Sequence, residues 1–299
     1  MGAPQVTRGF SYGYNGKLTS SGGIKVSSLN TTWAASNVAG TACPTTPGST
    51  SGCVCLKWTM SVPGVAPNTV INTSAANYSS WNALIDVIFH AVATPSNQGS
   101  YTETAHIQIY QMVMDYQVNG NPNWAMYIVG ANGRHYATKT INGVPYIVSV
   151  NMGDTGNFGN PAYVGSGGTA NNISMFVLPA PAPIGSGNYL WGQASVVHDV
   201  GGIISWLSQT TTGAQGTGIY DDAGNLLISN VGGGNVTSAL INPAHYLTGL
   251  NPNFEVYSAA TGAFTSNNSG AAASGPYTNN TNFTTTDFWV ALPGEIIGD

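Results

Sequence analysis

The chain carries eleven acidic residues in 299, so each carboxylate can be weighed singly for the chemistry it could do. Three of them stand inside apolar, strand-like runs: Asp86 in ALIDVIFH, Glu103 heading ETAHIQIY, and Glu255 in NPNFEVYS. A carboxylate on a half-buried strand is costly to desolvate unless a site uses it. Two carboxyls facing one cleft suit cleavage of a glycosidic bond. One protonates the leaving oxygen, and the other attacks the anomeric carbon or activates water. Glu103 and Glu255 are the candidate pair, with Asp86 on the strand beside Glu103. The sequence does not fix the carboxyl separation that decides between retention and inversion.

The remaining acids read structurally. Asp221 and Asp222 fall in a turn with Gly224 and Asn225, Asp287 precedes the last strand, and Asp154 sits among glycines. Glu295 and Asp299 lie in the tail, and Asp115 is ambiguous. Asp199 falls in the first turn of a helix, where negative charge complements the macrodipole.

The elements that must position these residues are mostly strands. Short runs rich in Val, Ile, Tyr and Phe alternate with Gly, Pro, Asn and Ser clusters, the pattern of an all-β sandwich. Strands are expected over 57–62, 68–72, 121–133 and 144–150, with two central strands carrying Asp86 and Glu103, the second running on to Val118. One helix is expected over about 195–209, from Val197, Val200, Ile204 and Leu207 at helical spacing. No internal repeat or composition break divides the chain, so residues 1–299 are expected to form one domain.

Composition excludes several classes. Charged residues make up 6% of the chain, against roughly 25% in an average soluble protein. That polar but uncharged surface suits a secreted, acid-active protein. A net charge of −5 with six Lys plus Arg argues against nucleic acid. No apolar run is long enough to span a membrane. The start, MGAPQVTRGF, has no apolar signal core, so export would require a leader already removed. Cys43, Cys53 and Cys55 permit one disulfide, with the pairing open. The five histidines lack metal-ligand spacing, and no metal or cofactor is expected. Eight sequons, Asn172 and Asn235 among them, would permit glycosylation.

Five stretches carry a resemblance. VSSLNTTWAAS is similar to the N-terminal Asn-Asn-x-Trp strand of glycoside hydrolase family 12, the endo-β-1,4-glucanases. Asp86 and Glu103 are 17 positions apart, as are that family's Asp and nucleophile Glu. WAMYIVGANG resembles its Trp-x-Leu-Tyr-x-Gly-x-Asn-Gly turn, ISMFVLP with HDVGGIISWL its strand leading into the helix, and YLTGLNPNFEVYS the strand of its acid/base Glu. The resemblance implies a jelly-roll β-sandwich of two antiparallel sheets with a concave cleft, and loop insertions around 135–172 and 210–235. It implies a monomer hydrolysing cellulose or a related β-glucan with retention: Glu103 as nucleophile, Glu255 as acid/base, and Asp86 sharing a proton with Glu103. Trp33, Tyr101, Trp124 and Trp191 would bind the polysaccharide, although Trp191 could equally be packing. An alternative register aligns His106 with the nucleophile position and leaves the protein inactive.

Two rival readings share the composition. A non-catalytic carbohydrate-binding or surface sandwich needs no carboxylate pair. A glutamic peptidase would need a Glu–Gln dyad, for which Gln108 or Gln111 has no supporting motif.

Overall fold

Runs of β-branched and aromatic residues, cut by turn-forming Gly, Pro and Asn, build a protein made almost wholly of strands. The computed structural model describes residues 8–9, 22–29, 54–61, 70–71, 80–95, 103–118, 121–122, 135–154, 170–178, 188–230, 232–257, 284–292 and 295–298. The strands are β1 Arg8–Gly9, β2 Ile24–Lys25, β3 Cys55–Ser61, β4 Val70–Ile71, β5 Ser80–His90, β6 Glu103–Val118, β7 Asn121–Pro122, β8 Ala137–Ile141 and β9 Val144–Asp154. They continue with β10 Ala170–Val177, β11 Asn188–Gly192, β12 Ser195–Asp199, β13 Thr211–Gly213, β14 Gly216–Gly218, β15 Tyr246–Tyr257, β16 Thr284–Leu292 and β17 Glu295–Gly298.

Two sheets form a β-sandwich. The larger runs β1-β15-β5-β6-β10-β9-β8, with β11 also on β6, and the smaller runs β12-β3-β16-β17. The expectation of two purely antiparallel sheets is corrected at one seam, because β10 lies parallel to β6. Parallel neighbours need a long crossover rather than a hairpin, and the 51 residues between Val118 and Ala170 supply it.

The core lies between the sheets. Ala83, Ile85, Val87 and Phe89 of β5 and Ala105, Ile107 and Ile109 of β6 form one cluster with Leu56, Trp58 and Met60 of β3 and Val290 and Leu292 of β16. Fully burying such a side chain contributes roughly 1.5–3 kcal/mol. Register is therefore fixed by burial, since a one-residue slip would turn Asp86 into the core.

The helix is shorter than expected. Residues 195–199 form β12 against β3, and α1 spans only Val200–Leu207. Val196 and Val197 gain ladder bonds there. Asp199 is the N-cap rather than a first-turn residue: its carboxylate accepts from the Gly202 N–H at 2.6 Å, leaving the helix to start after it. Val200, Ile203, Ile204 and Leu207 complete the core.

The two stretches expected as loop insertions contain regular structure among their described residues. Within 135–172, β8 and β9 form a hairpin over Asn142 and Gly143, whose φ values of 47° and 82° are those of a two-residue Asn-Gly turn. Within 210–235, β13 and β14 pair, and Ile219 and Leu227 join the main core. The β8–β9 hairpin extends the large sheet, whereas β13 and β14 form a separate two-stranded sheet. Among the described residues, no helix is long and apolar enough to cross a membrane.

One polar chain crosses this core. Tyr146 donates from its hydroxyl to His198 Nδ1 at 3.0 Å, and His198 Nε2 donates to Gln111 Oε1 at 3.0 Å. Gln111 Nε2 in turn donates to the carbonyls of Trp58 at 2.9 Å and Gln193 at 3.1 Å. Burial holds His198 neutral, its pKa pushed down to about 3, which matches a ring that donates at one nitrogen and accepts at the other.

Candidate active site

Alternation along each strand leaves one face of the large sheet facing away from the core. Its residues follow from register. Asn151 of β9, Asn172 of β10, His106 of β6 and Ile88 of β5 lie side by side in one row. The next row is Ser149, Ser174, Gln108, Asp86 and Asn251. In the third row Tyr110 stacks on Phe176, centroids 4.4 Å apart. Asp86, Glu103, His106, Asn172 and Ser174 on this face are buried, while Gln108 and Asn251 are partly exposed.

Glu103 reaches this face through an irregularity. Strict alternation with Ala105 and Ile107 would turn it into the core. The register shifts between Phe89 and His90, so that Glu103 pairs with His90 while Ala105 pairs with Phe89. Thr104 is the extra residue of a β-bulge, a device that re-aims a side chain. Its hydroxyl bonds His245 Nδ1 at 2.8 Å, and His90 Nδ1 meets Thr248 Oγ1 at 2.6 Å.

His106 stands between two carboxyls. Its Nε2 lies 2.9 Å from Asp86 Oδ1, and its Nδ1 lies 3.5 Å from Glu103 Oε2. Gln108 Nε2 donates to the same Asp86 oxygen at 3.4 Å, and the Tyr110 hydroxyl donates to Gln108 Oε1 at 3.0 Å. Burial pushes the Glu103 carboxyl from its ordinary 4.5 up to about 7; His106 pulls it down and the Asp86 charge raises it further. A carboxyl that keeps its proton to near neutrality can act as a general acid. Among the described residues, no group of three or more His, Cys, Asp or Glu is arranged to hold a metal ion.

The structure brings Asp86 and Glu103 together through His106, a residue considered at the sequence level only as a rival register. Spacing could not reveal its role, because Asp86 and His106 meet diagonally across two strands. Glu255 lies elsewhere on the sheet. Its side chain is outside the described residues, but its backbone pairs with Asn82, while Glu103 pairs with His90. Eight residues of β5 separate the two positions, about 26 Å along an extended strand. Both positions fall on the Asp86 face by register, and Asp86 is nearer to position 255 than Glu103 is. Trp33, Tyr101 and Trp124 lie outside the described residues. Of Trp191 only the backbone is described, on β11 opposite Val113; Val113 pairs with Asn82, so positions 191 and 255 share one row. Gln111 belongs to the core chain and not to this face. Cys55 is buried on β3, and Cys43 and Cys53 lie outside the described residues.

The raised Glu103 carboxyl makes stability depend on pH. The folded state holds this proton more tightly than the unfolded chain, so its contribution is present at low pH and lost as pH rises from 4.5 to about 7. Glu103→Gln mimics the protonated form. Unfolding free energies from urea titration of this variant are expected to match the wild type at pH 4 and exceed it at pH 8, by up to about 3 kcal/mol. Equal free energies throughout would mean that Glu103 titrates normally. Asp199, pushed up to about 7 by burial against the opposing Gly202 N–H, acts in the same sense in both proteins and cancels from the comparison.

No protein-family profile matches the chain, and no curated protein matches it in sequence. Among solved structures, it aligns with a family 12 xyloglucanase from Bacillus licheniformis at 14% identity and TM-score 0.36, covering 69% of this chain and 56% of that one. It aligns with an endoglucanase from Rhodothermus marinus at 16% identity and TM-score 0.36, covering 82% and 62%. A metagenome-derived glycoside hydrolase family 12 endoglucanase aligns at 15% identity and TM-score 0.36, covering 83% and 62%. The matched part is thus less than two thirds of each neighbour's length. Similarity of this degree leaves activity, substrate and site residues to be argued from the chain's own geometry.

Proposed function

We propose that the chain is a glycoside hydrolase acting on β-glucan polysaccharide, in finer terms a secreted, acid-active endo-β-1,4-glucanase. The observation that carries this reading is the buried Glu103–His106–Asp86 cluster on the face of the sheet that the core does not use. Glu103 holds the proton that the leaving glycosidic oxygen needs. His106 orients it and links it to Asp86, whose Oδ1 accepts from His106 and Gln108. The polar, uncharged composition suits an extracellular protein working on a neutral polymer.

The second carboxylate is Asp86 or Glu255. A retaining pair stands about 5–5.5 Å apart, and an inverting pair about 6.5–9.5 Å. The backbone separation of positions 103 and 255 exceeds both, so direct partnership of Glu103 with Glu255 rests on the resemblance alone. Asp86 is the carboxylate that the described side chains place nearest to Glu103.

Reducing-sugar release from soluble β-glucan and carboxymethylcellulose at pH 3–6 tests the reading. The wild type is expected to be active, and Asp86→Asn to lose at least 10²-fold. A loss of equal size in Glu255→Gln would restore Glu255 as the partner; unchanged activity would leave Asp86 in that place. A wild type that binds these polymers without cleaving them would select the second reading, a non-catalytic carbohydrate-binding sandwich. The distance between positions 103 and 255 is the observation that favours it.

A further inference from the structure

Nearly every buried donor pairs with an acceptor, and one that does not calls for a cause. Asn172 is such a case. It is 6% exposed, and its Nδ2 has no hydrogen-bond partner. Across the parallel seam it sits beside His106, and His106 reaches both Asp86 and Glu103. Paired residues project to the same side of a sheet, so this unmet donor shares the face that holds the carboxyls. On either side, Asn151 of β9 and Ser174 two residues along β10 continue the polar surface.

We propose that Asn172 is a saccharide-binding residue, its Nδ2 donating to a hydroxyl of the sugar unit bound against Glu103. The inference rests on the glycosidase reading and deepens it by naming a ligand contact. Local charge selects the ligand chemistry. No Lys or Arg occupies the two polar rows to hold an anion, and the Asp86 carboxylate lies one His away from Asn172. A neutral hydroxyl can accept from Nδ2 and still donate to a carboxylate.

A binding role and a structural role predict opposite stability effects. An unpaired buried donor destabilises the free protein, so removing it does not lower stability. The same removal deprives the saccharide of its partner. Titration calorimetry with a cello-oligosaccharide, run in the Glu103→Gln background to prevent turnover, compares Asn172→Leu and the smaller Asn172→Ala with their parent. Affinity is expected to fall about tenfold, with a melting temperature for Asn172→Leu no lower than the parent's. Unchanged affinity, or lower stability with full affinity, would overturn the proposal and point to a role in folding alone. If the wild type also cleaves β-glucan, the glycosidase reading survives that result. Weakened binding in a protein that cleaves nothing would keep Asn172 as a ligand contact and sink catalysis. A parent that binds no oligosaccharide, together with a wild type that neither binds nor cleaves β-glucan, would overturn both.

Discussion

Replacing Glu103 by Gln is expected to lower kcat/KM on soluble β-glucan about 10³-fold while leaving the protein folded. Positioned acid–base groups contribute about 10²–10⁴-fold, and Gln keeps the volume of the carboxyl without its transferable proton. The pH profile makes the test specific. Burial raises the Glu103 carboxyl to about 7, the Asp86 charge adding to the rise, so wild-type activity should decline as pH passes through neutrality. Asp86→Asn removes a charge that raises Glu103, and in that variant the alkaline limb of any residual activity should move to lower pH. A Glu103→Gln protein that keeps wild-type activity would place proton transfer elsewhere on the sheet.

The second large effect is on stability. Gln111 is fully buried and joins both sheets, accepting from His198 on β12 and donating to the Trp58 carbonyl on β3. Gln111→Leu keeps the approximate volume but leaves His198 Nε2 and the Trp58 and Gln193 carbonyls without this partner. Each buried group so orphaned costs about 1–3 kcal/mol. A total loss of about 3 kcal/mol or more is expected from urea denaturation at pH 7. A loss below 1 kcal/mol would mean that water replaces the amide. The cost arises because the partners remain after the amide is gone.

Gln111 is also where β6 shifts register a second time, between the pairs Ala83–Met112 and Leu84–Tyr110. Two irregularities in one strand explain much of what could and could not be read in advance. The strand content, the Asp86 and Glu103 strands and the run of β6 to Val118 were legible, because hydrophobic alternation is local. Alternation across 103–113 is broken by Thr104 and Gln111, and neither carries a local signal for a bulge. The helix was read five residues too early, because Val196 and Val197 fit helical spacing as well as they fit a strand. Only β3 beside them decides between the two.

Sequence alone determined the β class, the scarcity of charge and the short set of carboxylates from which any acid–base site must be drawn. Those follow from residue types and near-neighbour spacing, which act within a few residues. The tertiary structure decided which carboxylates share a neighbourhood. It put His106 between Asp86 and Glu103, set position 255 eight residues down the sheet, and left the Asn172 amide unmet beside His106. Those are relations between strands, fixed by register across a sheet whose pairing the core enforces, and no spacing along one strand encodes them.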